Sequence, residues 1–480
     1  MGGRENGIIP RNMTRSNEAW ISFLLTRAVG LVADALVLAG AYWGAFLLRF
    51  DFQSPRWGWR VVALSFVSVA VAHLAALLLC GCYRGAWRRF STRDLPRYFL
   101  ATALAAGALT ALRCLTPVEA LSHVRPPYSI TLITFALASL SLVGWRIVWS
   151  WIALSRVRVD ALLERGVRRM DSAAAVAFLR GKTVMVTGAG GSIGSELVRQ
   201  VAAAGPKLLL LVERGENALY EIDRELRTVI RTTCPTKPLM VDVNDRARMD
   251  DLFRAYHPDV VLHAAAYKHV PMVEMNPREG ARNNTEATKE LAALAKAHGV
   301  ARFVLISTDK AVNPVSVMGR TKRAAEQAIL ALNEAGGTSF CAVRFGNVLG
   351  SSGSVVPLFR EQIARRVPVT VTHPEMKRYF MTVEEAVGLV LQAASRAEKA
   401  IYTLDMGAPV RIVDLAEQMI RQAGYRPYVD IPIVFTGIRP GEKLFEELDI
   451  SEKSAYKTDM ARIYITKEKG EVGDGSGSAH

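Results

Sequence analysis

Thr308, Asp309 and Lys310 set a hydroxyl, a carboxyl and an amine on three consecutive residues. A carboxyl and an amine held together can serve as general acid and general base, with the hydroxyl as hydrogen-bond partner to a reacting oxygen. A second lysine, Lys322, follows in Met318-Gly-Arg-Thr-Lys322, which reads as the first turns of a helix. The stretch before the trio, Phe303-Val-Leu-Ile-Ser307, is a buried-type strand. Open parallel sheets bind ligands beyond the carboxyl ends of their strands, where this arrangement places all four residues. Adjacent residues on a strand-end loop rarely pair with each other, which argues against reading Asp309 and Lys310 as a surface ion pair.

The elements that position this cluster begin at Lys182. The β-branched run Lys182-Thr-Val-Met-Val-Thr187 leads into Gly188-Ala-Gly190-Gly191-Ser192-Ile193-Gly194 and then the helical Ser195-Glu-Leu-Val-Arg-Gln. Strand, glycine turn and helix are the context of a dinucleotide fingerprint, in which backbone N–H groups approach a pyrophosphate. A Walker A loop is excluded, because Val176 stands where its first glycine belongs. A second apolar run, 207–212, ends at Glu213, 19 residues after Gly194. A carboxylate there accepts from the adenosine ribose and favours NAD, whereas the adjacent Arg214 would suit the 2′-phosphate of NADP. Asp242 and Val243 close a third strand, with an acid suited to the adenine amino group. A fourth strand, 260–263, runs into Ala264, Ala265 and Ala266, small enough to pass close beneath a cofactor. Thr308, Asp309, Lys310 and Lys322 then lie toward its nicotinamide end.

Length and composition supply the remaining architecture. At roughly 150 residues per domain, 480 residues allow two or three domains. Half the chain is apolar and 22% charged, which excludes disorder, and five cysteines without a CxxC pair exclude a disulfide scaffold and argue against zinc. No metal is expected. The net charge of +15 would suit nucleic acid if it were spread evenly, but residues 1–170 hold 20 Arg, no Lys and 8 acids. That third also contains four apolar stretches, 30–48, 61–80, 98–118 and 128–149, each long enough to cross about 30 Å of hydrocarbon. A bilayer explains the basic excess better than nucleic acid. Arg113 and Arg146 lie near enough to span ends to snorkel, and Asp34 reads as a buried structural acid near an interface. Arginines crowd the N-terminal arm, the loop between the second and third spans, and the segment after the fourth. Both termini are therefore expected in the cytoplasm, with the protein multi-pass in a bacterial inner membrane.

The expected fold is an α-helical membrane domain of four transmembrane helices (1–150) and a cytoplasmic connector (151–180), followed by a catalytic domain (181–465). The last is an α/β Rossmann-type doubly wound parallel sheet with a small C-terminal substrate-binding subdomain. A disordered Gly/Ser tail (466–480) ends the chain.

Several stretches carry a more specific likeness: Thr187-Gly-Ala-Gly-Gly-Ser-Ile-Gly-Ser-Glu196, Ala264-Ala-Ala-Tyr-Lys-His-Val-Pro-Met-Val-Glu274, Ser307-Thr-Asp-Lys310, Val343-Arg-Phe-Gly-Asn-Val348, Arg378-Tyr-Phe-Met-Thr382 and Arg439-Pro-Gly-Glu-Lys443. From 181 to about 450 the chain resembles the extended short-chain dehydrogenase/reductase superfamily and, within it, the membrane-anchored UDP-N-acetylglucosamine 4,6-dehydratases. Most of the superfamily carries Tyr where Met318 stands, and the membrane-anchored dehydratases also carry Met. Long members insert a further Rossmann-like module after the spans, whereas about 30 residues fill that gap here.

The resemblance implies tightly bound NAD that is regenerated in each cycle, a UDP-sugar substrate, and a homo-oligomer working beside downstream sugar-modifying enzymes. Hydride removal from C4 of the sugar leaves a ketone that acidifies the C5 proton. Lys310, if neutral, removes that proton, its pKa lowered by burial beside Lys322 and other cations. Asp309, if protonated, donates to the departing C6 hydroxyl. Thr308 bonds the C4 oxygen and Lys322 grips the nicotinamide ribose. Met318 has no titratable proton, so the C4 hydroxyl proton passes to Asp309 or a water. The same likeness puts Lys268, Asn347, Ser354, Arg378, Arg439 and Glu442 on the nucleotide sugar. A C4 epimerase or reductase of the same superfamily, and a non-catalytic membrane-tethered NAD sensor, are the competing readings.

Overall fold

The computed structural model describes residues 12–52, 59–83, 94–115, 126–155, 173–333, 337–396, 398–448, 450–451 and 454–467. Two compact units account for them, one built chiefly from the first 157 residues and the other from Arg158 onward. Most of the expected connector and tail, at 156–172 and 468–480, lies outside the described residues, as do the arginine-rich loop 84–93 and residues 116–118 of the third expected span.

The first unit contains α1 (Asn12–Arg49), α2 (Trp59–Leu79), α3 (Leu95–Leu115) and α4 (Tyr128–Ser155). Each has a stretch long and apolar enough to cross a membrane. Helix α1 starts well before its apolar window because no glycine or proline interrupts residues 12–29. Helix α2 stops where Gly81 adopts φ +71°, with the Cys82 N–H donating to the Leu77 carbonyl. That is the left-handed cap glycine permits without strain. The helices pack through small and aromatic side chains, among them Ala41, Ala45, Ala101, Ala105, Ala138 and Tyr42. Leu36, Val71, Leu132 and Leu140 face outward, an exposure that suits hydrocarbon rather than water.

Arg146 departs from expectation. Its guanidinium does not snorkel; it is fully buried, 2.5 Å from the equally buried Asp34 carboxylate, and lies 4.5 Å from the centre of the Tyr98 ring. The Tyr83 hydroxyl donates to the same Asp34 oxygen. An ion pair inside a bundle satisfies two charges that are buried away from solvent.

The second unit is built on a nine-stranded sheet. Its strands are β1 (Thr183–Thr187), β2 (Leu208–Glu213), β3 (Thr236–Met240), β4 (Val260–His263), β5 (Arg302–Ile306) and β6 (Ser339–Arg344), with three more from later in the chain. Between them come β7 (Asn347–Val348), β8 (Val369–Val371), β9 (Lys377–Arg378) and β10 (Phe380–Met381). Then follow β11 (Ile401–Leu404), β12 (Val410–Arg411), β13 (Ile433–Phe435), β14 (Ala455–Lys457) and β15 (Ile463–Thr466). The sheet order is β14-β15-β11-β6-β5-β4-β1-β2-β3, parallel from β11 to β3 and antiparallel at the β14-β15 edge. Buried on both faces, β1, β4 and β5 read as continuous apolar runs because each face must pack against helices. Val184 and Val186 enter one core with Leu197 and Val201, and Met185 enters the other with Leu252 and Phe303. Strand order reverses between β1 and β4, which opens the crevice for a ligand at their carboxyl ends. Three two-stranded pairs, β7–β10, β9–β12 and β8–β13, form the smaller C-terminal part.

Candidate active site

At the end of β1, Gly188 adopts φ +66°, and a Cβ there would lie 2.8 Å from the Ala265 backbone. A Cβ on Gly190 would lie 2.5 Å from Ala218, and one on Gly194 would overlap the Gly188 carbonyl oxygen. These glycines are therefore required for the turn and for helix–strand packing. Gly191 caps the helix Ser192–Ala203 without a side-chain bond, leaving first-turn N–H groups of Ser192, Ile193 and Gly194 for an anion. The Glu213 carboxylate is fixed in place, accepting from the Gly190 N–H (3.2 Å) and the Gly215 N–H (3.0 Å). Arg214 lies over the Tyr267 ring, donates to its hydroxyl at 2.8 Å, and stands 3.8 Å from Asp242. Asp242 accepts from the Asn244 N–H and side-chain amide at 2.9 and 2.8 Å. Burial pushes its pKa up, but those bonds and Arg214 outweigh it and hold it below the ordinary value. Val243 is buried just beyond it.

Ala264 continues the β1–β4 ladder through its N–H bond to the Thr187 carbonyl, and Ala265 and Ala266 follow with rising exposure. Beneath them His263 is fully buried, its ring nitrogens on Thr187 (2.7 Å) and Thr288 (2.9 Å). Burial and the Lys322 charge push its pKa down to about 3, so it is neutral. Sequence reasoning gave His263 no role, because a strand-end histidine is indistinguishable by pattern from any buried residue.

The reactive trio sits directly after β5. Thr308 caps the short turn Asp309–Ala311 and donates to Asp309 Oδ1 at 2.9 Å. Lys310 Nζ donates to the same oxygen at 3.0 Å and to Asn347 Oδ1 at 3.1 Å. The two neighbours do pair, contrary to expectation, but in a buried site: Asp309 is 1% exposed and its Oδ2 has no hydrogen-bond partner among the described residues. Gly346 makes room for that oxygen, since a Cβ there would lie 3.0 Å from it.

Glu446 is the residue that sequence reasoning missed. It lies in the loop after Lys443, 7% exposed, with Oε1 3.6 Å from Lys310 Nζ and 3.7 Å from Arg378 Nε. Its Oε2 is buried without a partner among the described residues. Burial alone would lower the Lys310 pKa, but Asp309 and Glu446 outweigh it, so the amine is raised above its ordinary value. The expected lowering falls instead on Lys322, which burial takes down to about 8 against a weaker pull from Glu326. Lys322 Nζ has no hydrogen bond or ion pair among the described residues.

Lys322 sits on the helix Val317–Leu330, whose position is tightly specified. Ser316 caps it, Glu274 accepts from the Val317 N–H at 2.6 Å, and a Cβ on Gly319 would overlap the Lys310 carbonyl oxygen. Met318 is buried on it, beside the trio's turn and without a titratable proton. Glu326 accepts from Ser307 (2.6 Å) and from Arg344 (2.7 and 2.6 Å), a fully buried network tying the helix to β5 and β6.

The expected sugar-binding residues divide. Asn347 joins the trio. Arg378 is buried, its guanidinium donating to the Lys443 and Leu444 carbonyls and to Glu442 at 3.3 Å, so it holds the 442–446 loop rather than lying open. Ser354 caps the helix Val355–Arg365 with a buried Oγ that has no partner among the described residues, and the Ser352 N–H donates to Ser192 of the glycine turn at 3.0 Å. Lys268 and Arg439 are exposed.

A glycine cradle that excludes Cβ atoms, a fixed acid at the end of β2 and an unpartnered buried lysine fit a bound dinucleotide. Among the described residues no group of His, Cys, Asp and Glu could hold a metal.

Residues 184–468 match the family described as polysaccharide biosynthesis protein. The chain is 52% identical over 297 residues to the capsular polysaccharide biosynthesis protein CapD of Staphylococcus aureus, covering 62% of this chain and 49% of that protein. It thus spans about half the length of that relative. An inverting UDP-N-acetylglucosamine 4,6-dehydratase of Campylobacter jejuni is 31% identical over 60% of this chain and 83% of its own. A UDP-glucose 4-epimerase of Rickettsia canadensis is 32% identical over 59% and 82%. The solved structure of Pen from Bacillus thuringiensis superposes with a TM-score of 0.55 at 31% identity, over 60% of this chain and 90% of that one. The chain belongs to the polysaccharide biosynthesis protein family, in the superfamily of nucleotide-sugar dehydratases and epimerases built on the short-chain dehydrogenase/reductase fold.

Proposed function

We propose that this chain is a membrane-anchored, NAD-dependent 4,6-dehydratase of UDP-N-acetylglucosamine, making a 4-keto-6-deoxy sugar nucleotide for surface glycan or glycoprotein synthesis. One observation carries the reading. The buried Asp309 and half-buried Lys310 are hydrogen-bonded to each other, with Asn347 and the buried Glu446 beside them, at the carboxyl end of β5. C4 epimerisation needs no base for C5, whereas dehydration needs an acid and a base side by side.

A nicotinamide bound at the crevice supplies the hydride acceptor for sugar C4 and the hydride that returns to C6. Glu213, placed at the end of β2, receives the adenosine ribose, and Arg214, already engaged with Tyr267, leaves NAD favoured over NADP. Lys322 holds the nicotinamide ribose. Thr308 bonds the C4 oxygen and relays its proton to Asp309, to which it already donates. Asp309 then protonates the C6 hydroxyl, which leaves as water. Lys310 carries the C5 proton away and later returns it to C5. Ser354, the exposed Arg439 and the exposed Lys268 take the nucleotide and sugar substituents, with Arg378 and Glu442 shaping the loop that covers them. The catalytic unit faces the cytoplasm, on the side favoured by the arginines.

Incubating the purified protein with UDP-N-acetylglucosamine, without added cofactor, should give a product lighter by one water. An equal-mass isomer would instead mean epimerisation. Asp309→Asn and Lys310→Ala should each abolish product while leaving bound dinucleotide in place.

A further inference from the structure

Dehydration requires Lys310 to be an amine when it meets the C5 proton, yet two carboxylates surround it. Asp309 is committed elsewhere: the C4 hydroxyl proton must reach it, and it must then pass that proton to the leaving C6 oxygen. A proton stored on Asp309 by Lys310 would block this path. The second carboxylate, Glu446, has no such duty. One of its oxygens lies 3.6 Å from Lys310 Nζ, and the other is buried with no partner among the described residues.

We propose that Glu446 is the proton store for Lys310: it takes one proton from the ammonium before turnover and keeps it until the sugar has been released. This rests on the dehydratase reading. In the first step an Nζ–H bond breaks and an Oε1–H bond forms, leaving neutral amine and neutral carboxylic acid. In the second, the C5–H bond breaks and a new Nζ–H bond forms, while Asp309 gives its proton to the C6 hydroxyl and water departs. The same Nζ–H proton returns to C5 when C6 is reduced. Each proton is accounted for, and no co-reactant is needed. Hydrogen bonds of this kind are often long before substrate closes the site, which accommodates the 3.6 Å separation.

The surroundings suit that role. Facing Glu446 are Lys310 and Asp309 from the turn after β5, Arg378 from β9, and Lys443 from its own loop. Burial and Asp309 push its carboxyl up while the three cations pull it down, with burial prevailing. Glu442 lies 3.3 Å from the same Arg378 guanidinium. Met318, on the neighbouring helix, has no proton to exchange.

The test is the pH profile of kcat for Glu446→Gln and Glu446→Asp. Wild type should be nearly flat across neutral pH, because the proton moves within the pair. The glutamine variant should lose roughly 10²-fold at pH 7, fall tenfold per unit on the acid side, and recover most of its rate as alkali deprotonates Lys310. The aspartate variant should restore a flat profile. A uniform loss at every pH in the glutamine variant, as from a merely structural part, overturns the proposal, and so does an unchanged rate. A second readout needs no turnover: the pH dependence of Lys310 acetylation, read by peptide mass spectrometry. Glu446→Gln should move that titration to lower pH, and an unmoved titration also overturns the proposal. If wild type forms no dehydrated product at all, the dehydratase reading fails, while the acetylation profile still decides whether Glu446 governs Lys310.

Discussion

Gly319→Ala is a methyl-sized perturbation aimed at Lys310 through the backbone. Ordinary carbon contacts begin near 3.4 Å, and a Cβ on Gly319 falls far inside that limit, against the Lys310 carbonyl oxygen, with Pro314 and Ser316 each at 3.1 Å. The helix Val317–Leu330 and the trio's turn must therefore part by roughly 1 Å, a misplacement that can cost about 10² in rate. That corresponds to about 2.7 kcal/mol of transition-state stabilisation. The effect on stability should be smaller, since overpacking costs about 1–3 kcal/mol and alanine regains about 1 kcal/mol of helix propensity. The assay is kcat for water loss from UDP-N-acetylglucosamine, with thermal melting and bound dinucleotide measured on the same preparation. Gly337→Ala, where an added methyl meets nothing within 4 Å among the described residues, is the control and should leave kcat unchanged. A folded, dinucleotide-loaded Gly319→Ala protein with kcat within threefold of wild type would refute the claim that the placement of Lys310 limits the reaction.

Lys322→Met should remove a pH-dependent penalty as well as bound dinucleotide. A lysine held at about 8 when folded and near 10.4 when unfolded destabilises the ligand-free protein by about 3 kcal/mol below pH 8. Because the unfolded chain then binds the extra proton, wild-type stability should rise between pH 8 and about 10.4, and urea titrations of the methionine variant should show that rise removed. Arg344→Met should lower stability by about 3–5 kcal/mol, because it leaves the Glu326 carboxylate buried without its bidentate partner. A urea midpoint unchanged from wild type would contradict that. In the membrane unit, Arg146→Leu alone should destabilise the detergent-solubilised protein more than the double change Asp34→Leu, Arg146→Leu, since only the single variant strands a charge. Equal melting temperatures would show the pair to be dispensable.

Much of this arrangement is legible in the residue pattern. The glycine turn announces itself because only glycine satisfies the close approaches at 188, 190 and 194, and the buried strands are short apolar runs between turns. Strand-end chemistry then places Asp309 and Lys310 without any knowledge of their contacts. What stays hidden is whatever depends on partners distant in sequence. Arg146 looks like a residue near a helix end until Asp34 is brought against it across the bundle. Lys310 reads as an amine depressed by cations, but its pairing with Asp309, joined by Glu446 once the 442–446 loop folds onto β9, reverses the sign. Arg378 likewise looks available for phosphate, but its donors are taken by the carbonyls of that loop.

The most direct measurement follows a label through one turnover. UDP-N-acetylglucosamine carrying deuterium at C4 should yield a 4-keto-6-deoxy product with that deuterium at C6 and a C5 hydrogen drawn from the lysine-held proton. Deuterium lost to solvent, or retained at C4 in an isomer of unchanged mass, would contradict the account.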